Sequence, residues 1–482
     1  MKRKLHGKNY TIRAASAALL AVTLSGCGAT ESDPAETTST AAPGETVAIN
    51  TEVLNDEQQA AVSEAANSML TDEELENKTV KWLAHYDLNP DPRGGSKSVS
   101  LEMFESKYGG KIEYFPTTWE GRWTDLSTYV LGGEGIDFFP FDTTCIPRGI
   151  ASGMFEPVDE YVDLDSPLWQ ETAKFMKLFN FGGKHYELCT GVSPEAVVIY
   201  NKQTIEEMGF DDPYEMYLEG SWNWDTMRKM LTDFVDPENG RYGLDGYHYQ
   251  KAIGTSAGAT CVQLEGGRLS LNLDDERLEK VMFMANDMYN EGLFLDRAMF
   301  DWSEQAQMMG DGGELFYFCG IWTLESDPSI WSTKISPENA AVVPVPCSSE
   351  FAPAYSVIPD GFMLCKGSAN PKGAVRYAEC CIAASMDEST VAITNEKRRN
   401  DYGWTDELIS QNDECIRIAE EYPFYDLSYG ISQDFTSAIT DSVQYNTFSG
   451  NSFASAKEEV KDVAQILLDE FNSQLDTAVS GQ

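Results

Sequence analysis

Aromatic or acidic side chains gather in three short stretches of this chain: His85-Tyr86-Asp87, Pro116 to Trp119, and Phe141-Asp142-Thr143. Rings offer flat apolar faces and carboxylates accept hydrogen bonds from hydroxyls, so such stretches suit the holding of a polyhydroxylated solute. Other chemistry has less to work with. The chain has no C-x-x-C or H-E-x-x-H and only four histidines, His6, His85, His185 and His248, so no metal site and no cofactor are expected. Asp236-Pro-Glu-Asn-Gly240 has the carboxylates of a calcium loop but not its alternating ligands or closing Glu, and reads as a turn. No nucleophile motif of the G-x-S-x-G type is assigned. Among 78 acidic residues a carboxylate pair in a cleft arises by chance, which leaves a glycosidase without specific support.

The elements around these stretches explain their position. Thr79 to Tyr86, Lys111 to Pro116 and Ile136 to Phe141 read as strands, separated by helical patterns at Val99 to Tyr108 and Trp123 to Leu131. A β-α-β-α-β alternation builds a parallel sheet, and open sheets of this kind bind ligands beyond the carboxyl ends of their strands. The three stretches lie at those ends. Further on, Ala196 to Lys202 reads as a strand, and Asp225 is expected to cap the helix opened by Trp222-Asn-Trp-Asp225. Asp274 is expected to cap a helix whose Leu278, Val281, Met282, Ala285, Met288 and Tyr289 share one face. Leu315 to Cys319 reads as a strand buried on both faces, with strand patterns again at Ala340 to Val345 and Gly361 to Lys366. Asn370-Pro371 opens another helix, and Val460, Val463, Ala464, Leu467, Leu468 and Phe471 recur at helical spacing near the end.

The chain begins with Lys2, Arg3, Lys4, Lys8 and Arg13, then an apolar run from Ala14 to Leu24, then Leu24-Ser-Gly-Cys27. The apolar run is too short to span a bilayer and reads as a signal peptide over residues 1–26. Residues 27–78 are expected to form a flexible tether with a polar helical segment after Asp56, since they carry few bulky apolar groups to offset the ordering entropy. The net charge is −43 and becomes −48 once the five basic residues of the leader are removed. Such a surface repels phosphates, so no nucleic acid partner is expected. No second long apolar stretch occurs, which argues against a channel or permease. Nine cysteines follow Cys27, an odd number without regular spacing, and buried free thiols are expected. The roughly 400 remaining residues point to two lobes.

The order of segments from Thr79 to the C-terminus resembles the family 1 extracellular solute-binding proteins of ABC importers, the group that includes the maltose-binding protein. Gly182-Gly-Lys-His-Tyr186 with Val198-Ile-Tyr-Asn-Lys202, Gly209-Phe-Asp-Asp-Pro213 with Trp222-Asn-Trp-Asp225, Gly310 to Trp322, and Val343-Pro-Val-Pro346 with Gly361-Phe-Met-Leu-Cys-Lys366 carry it. Ile136-Asp137 stands where the family usually has Pro-Asp, and Cys189-Thr-Gly191 where a proline is common. Leu24-Ser-Gly-Cys27 likewise resembles the lipobox of bacterial lipoproteins, which implies a diacylglyceryl group on the Cys27 sulfur and anchorage to the outer face of the cell membrane.

The resemblance implies an α/β, two-lobed periplasmic-binding-protein type II (Venus-flytrap) fold. It assigns 79–190 plus 297–345 to the N-terminal lobe and 191–296 plus 346–482 to the C-terminal lobe, with crossings near 187–196, 292–300 and 345–358. It implies a monomer that grips a solute, a sugar or oligosaccharide, in an interlobe cleft and delivers it to ABC permease subunits. The family pattern places a stacking aromatic near Phe141 and Trp322. Tyr86, Asp87, Trp119, Asp142, Glu195, Asp360 and Tyr425, within Tyr422 to Tyr429, complete the expected ligand set. The alternatives are a non-sugar solute, a secreted glycosidase, or a surface glycan-binding protein.

Overall fold

The computed structural model describes residues 54–90, 97–303, 305–325 and 333–480; the leader, Cys27 and the tether up to residue 53 lie outside them. The first sheet forms as its alternation predicts. Strand β1 (Thr79–Ala84) lies parallel to β2 (Lys111–Pro116) over its full length, and Trp82 registers with Phe138 of β3 (Phe138–Pro140). The helix Val99–Tyr108 between β1 and β2 is capped by the Ser98 side chain on the Leu101 amide at 3.2 Å and ends at Gly109 with φ 62. Asp137 ties the start of β3 to its surroundings, accepting from the backbone amides of Lys81 at 2.7 Å and Asn370 at 2.5 Å and from Ser368 Oγ at 2.7 Å.

Strand β4 (Glu187–Pro194) leaves this sheet toward β5 (Val197–Asn201), which opens the second sheet. That sheet also holds β6 (Tyr242–Asp245), β9 (Glu314–Cys319) and β10 (Ala340–Pro344) in the order β10-β5-β9-β6. Every residue of β9 is buried, as the unbroken apolar run from Leu315 requires. A separate hairpin of β7 (Val262–Glu265) and β8 (Arg268–Leu271) is clipped to the helix Phe453–Ser480 by Asn472, which bonds both the amide and the carbonyl of Leu269 at 3.0 and 2.9 Å. The chain then returns: β11 (Tyr355–Leu364) runs antiparallel to both β4 and β3, and β12 (Pro423–Phe424) adds to its start.

These ladders correct the expected lobe boundaries. Residues 297–345 hold β9 and β10, which pair with β5 and β6 and so belong to the second lobe; β11 and the helix Pro371–Met386 belong to the first. No crossing occurs at 292–300, because Leu295 N donates to Leu244 O at 2.9 Å and keeps that segment on the second sheet. The third crossing falls instead between the helices Glu388–Tyr402 and Asp406–Glu421. Ile393 packs in the first-lobe core, whereas Trp404, Leu408, Ile409 and Cys415 pack with Val197, Ile199 and Tyr317 of the second. Local pattern identifies a strand but not which neighbour supplies its hydrogen bonds.

The segment after residue 54 is also more than a tether. Asn55 and Gln58 form a capping box on the helix Asp56–Met69, whose Val62, Ala65 and Ala66 are buried against the first lobe. Glu73 accepts from Arg376 Nη2 at 2.6 Å, Arg376 bonds Glu379 at 2.5 Å, and Glu379 accepts from Trp169 Nε1 at 3.1 Å. Small residues on one face and a paired carboxylate after it let an acidic helix dock. Two caps shift as well: Asn223 and Asp275 serve in place of Asp225 and Asp274, and Asp274 pairs with Lys457 at 2.9 Å. Seven of the nine described cysteines are buried, and no disulfide joins any two of the nine.

Candidate solute-binding cleft

Both sheets turn their carboxyl ends toward the crossings. Val197 registers with Cys319, so the residues after β9 emerge beside the first crossing, and Phe141 N donates to Gly361 O at 3.1 Å where β11 descends from the second. The wall of the first lobe is built from the turns after β1, β2 and β3. Trp82 Nε1 donates to Tyr86 O at 2.9 Å, and its indole meets the Tyr86 ring edge-on at 5.4 Å. His85 contacts Tyr86 at 5.0 Å and Trp119 at 5.2 Å. Burial lowers the His85 pKa, helped by the nearby Arg122 charge. Arg122 itself stacks its guanidinium 3.6 Å from the Trp119 ring centre, donates to Trp119 O, and donates Nε to Asp142 Oδ2 at 2.7 Å. Arg122 and Asp142 are buried and hold Trp119 half-exposed at the rim.

The wall of the second lobe is formed after β6 and β9, which run parallel and so end side by side. Gly320 and the short turn Ile321–Leu324 carry Trp322; a Cβ on Gly320 would lie 2.4 Å from the indole nitrogen, so the glycine lets the ring fold back over the backbone. Tyr247, after β6, lies 6.0 Å from Trp322 with the rings inclined by 34°. Tyr86, Trp119, Tyr247 and Trp322 are 43, 50, 55 and 53% exposed, two rings on each lobe.

At the crossings Glu195 and Lys251 form an ion pair at 2.5 Å with both side chains buried, and Ser356 donates to the second Glu195 oxygen. Lys251 also sits 4.2 Å over the Tyr429 ring. Burial lowers the pKa of His248 nearby, and Lys251 adds to the effect while Glu195 opposes it. Phe141, almost fully buried, packs against Phe179 at 5.9 Å and Tyr425 at 6.1 Å.

Of the residues expected from sequence, the structure therefore brings Tyr86, Trp119 and Asp142 to one wall, Trp322 to the other, and Phe141, Tyr425 and Glu195 to the floor. Glu195 is engaged by Lys251 and Ser356. Asp87 accepts from the Asn89 amide and side chain at 2.9 and 2.8 Å, closing its own turn. Asp360 lies within electrostatic reach of Tyr86, whose hydroxyl pKa is raised first by burial and then by the Asp360 charge. It accepts from Ser193 Oγ at 2.6 Å and opens to a hollow of about 850 Å³ behind the crossing strands, shared with Thr190, Lys397 and Glu420. Loss of hydration there raises its pKa to about 6, against the Ser193 hydrogen bond. Arg122, Tyr247 and Lys251 escaped the sequence reading. Tyr247 was legible as an aromatic just past Gly246 at the end of a short strand, but nothing local marks β6 as the partner of β9.

One spacing corrects the motif reading. Gly254-Thr-Ser-Ala-Gly258 does match G-x-S-x-G. Ser256, however, is buried after the helix Tyr249–Thr255, donating to Ile253 O at 2.7 Å and accepting from Trp224 Nε1 at 2.9 Å. It closes a helix and tethers an indole, where a nucleophile elbow would expose its serine between strand and helix.

Residues 100–396 match the family model described as bacterial extracellular solute-binding protein, well over half of the chain. The chain belongs to that family. This solute-binding protein also shares its fold with solved two-lobed proteins. An ABC substrate-binding protein from Listeria monocytogenes in complex with cycloalternan is 14% identical, with 82% of this chain and 100% of that one covered at a TM-score of 0.59. A receptor from Streptomyces glaucescens, solved free and with acarbose, is 15% identical over 81% and 98% at 0.58. The galacto-N-biose/lacto-N-biose I-binding protein from Bifidobacterium longum, with lacto-N-biose, is 15% identical over 82% and 97% at 0.56. The family works outside the cytoplasm and consists of solute-binding proteins of transport.

Proposed function

We propose that this solute-binding protein captures a sugar or oligosaccharide between its lobes and presents it to the permease of an ABC importer while anchored through Cys27. The carrying observation is the set of four half-exposed rings, two on each lobe, at the carboxyl ends of both sheets. Stacking rings on facing lobes suit a pyranose, whose apolar faces point two ways while its hydroxyls point around the rim. The structural neighbours with bound cycloalternan, acarbose and lacto-N-biose support the same class. A solute that touches both walls favours the closed arrangement by its differential affinity, and the closed form is the one a permease distinguishes.

Calorimetric titration with maltotetraose, lacto-N-biose, β-1,6-galactobiose and a set of amino acids and peptides tests the reading. Saturable binding of at least one glycan is expected. Binding confined to amino acids or peptides would replace the sugar with another solute, and released monosaccharides that vanish on changing one carboxylate would establish a hydrolase. For the anchor, cells fed a palmitate analogue should label the parent and not Cys27→Ala. Equal label in both would remove the anchor.

A further inference from the structure

The strand that leads into the first crossing carries a carboxyl group without a partner. Glu187 opens β4 and is 1% exposed, and neither of its carboxylate oxygens has a hydrogen-bond partner. Its cross-strand neighbour is Met363, whose side chain faces the core that holds Phe141 and Phe179, so Glu187 faces the same way. The carboxyl reaches along β11 to Gly361: a Cβ there would lie 3.1 Å from Glu187 Oε1, and 2.5 Å from Leu188 O. Gly361 is the residue whose carbonyl accepts from Phe141 N. The Glu187 carboxyl therefore ends level with Phe141, the first residue of the cleft after β3.

A second orphan lies in the same neighbourhood. The Tyr425 hydroxyl is buried and also has no hydrogen-bond partner, while its ring meets Phe179 edge-on at 4.7 Å and Phe141 at 6.1 Å. Glu187 is close enough to couple electrostatically with both Tyr425 and Cys145, so the two orphan groups share one neighbourhood beneath Phe141. Packing alone favours an apolar residue at position 187, because a buried carboxyl with no hydrogen bond costs stability without return. Burial also favours the neutral form of this carboxyl, raising its pKa well above the usual range, and the Asp360 charge adds to the shift.

We propose that Glu187 and Tyr425 form the inner polar end of the solute site and together take one uncharged hydroxyl of the bound solute. Glu187 donates its acid proton to the hydroxyl oxygen, and the hydroxyl donates to the Tyr425 oxygen. Access requires the ring of Phe141 or Tyr425 to turn, a side-chain movement rather than a change of fold. A carboxylate or phosphate in place of that hydroxyl would carry a charge without a counter-ion into a buried, largely apolar place, so the pair selects neutral polyhydroxylated solutes. This inference rests on the sugar-binding reading of the cleft.

The experiment uses the purified protein with a glycan from the titration panel that binds the parent, alongside thermal melts. Glu187→Met should melt at or above the parent, because an apolar side chain of similar length replaces an unpartnered carboxyl. It should also bind the glycan about tenfold more weakly or worse, the loss of one buried hydrogen bond to a neutral acid. Glu187→Gln, which keeps a donor, should lose less, and Tyr425→Phe should weaken binding without lowering the melt. A Glu187→Met protein with parental affinity overturns the proposal, and so does one that melts below the parent, since either result makes Glu187 a structural residue. A parent that binds no glycan at all fails earlier and defeats the sugar reading itself.

Discussion

At the scale of the residue, Trp322 joins the sequence reading to the site most directly. Its indole is folded over Gly320 and beside Tyr247, yet half of it faces solvent, so it fills no core. A rigidly held ring loses little entropy on stacking, and Trp322→Ala should cost about 2–4 kcal/mol of glycan binding, roughly 30-fold to nearly 1,000-fold in affinity. The melt should move little. Titration beside a thermal scan checks both, and a large drop in melting temperature with parental affinity would return Trp322 to a packing role. Lys251 makes the opposite case. It is buried with Glu195, so Lys251→Met leaves an uncompensated buried carboxylate and should destabilise the fold by about 3–5 kcal/mol in urea unfolding. Unchanged unfolding would show that the Glu195–Lys251 pair does not hold the fold together.

At the scale of the element, the two paired crossing strands hold the lobes together and carry a local irregularity. The β4 and β11 ladder shifts register between Asp360 and Gly361, opposite Gly191 and Cys189. Asp360 sits at this shift, and its pKa is raised from 3.8 to about 6, first by burial. A carboxyl raised in the fold favours the folded state when protonated. That contribution is full below pH 3.8 and is lost as pH rises through about 6. Asp360→Asn should therefore melt above the parent at pH 7, with the difference closing by about pH 4. A difference that stays constant across that window would mean that Asp360 does not titrate there. The helix Asp56–Met69 shows the same limit of local pattern: its composition predicted loose packing, yet the linked charges of Glu73, Arg376 and Glu379 fix the segment just after it to the first lobe.

At the scale of the whole molecule, two lobes joined by three crossings can close as bodies, and a bound solute should favour closure. Small-angle scattering of the protein with a saturating glycan should show a smaller radius of gyration than without it. No change with binding confirmed by calorimetry would mean that the solute is held by one lobe alone.

The sequence by itself determined the local elements, the loops at strand ends, and the family. The β-α-β-α-β pattern, the doubly buried run at Leu315 to Cys319, and the aromatic and acidic stretches after β1, β2 and β3 are set by side-chain periodicity and turn residues, which act over a few positions. Tertiary structure decided which sheet each later strand joined, where the third crossing lies, and which charges face each other. Thus 297–345 moved to the second lobe, Glu195 met Lys251 across 56 residues, and Asp360 met Ser193 on the neighbouring crossing strand. Hydrogen-bond ladders and buried ion pairs form between segments far apart in the chain, and neither leaves a periodic trace in the residues that make it.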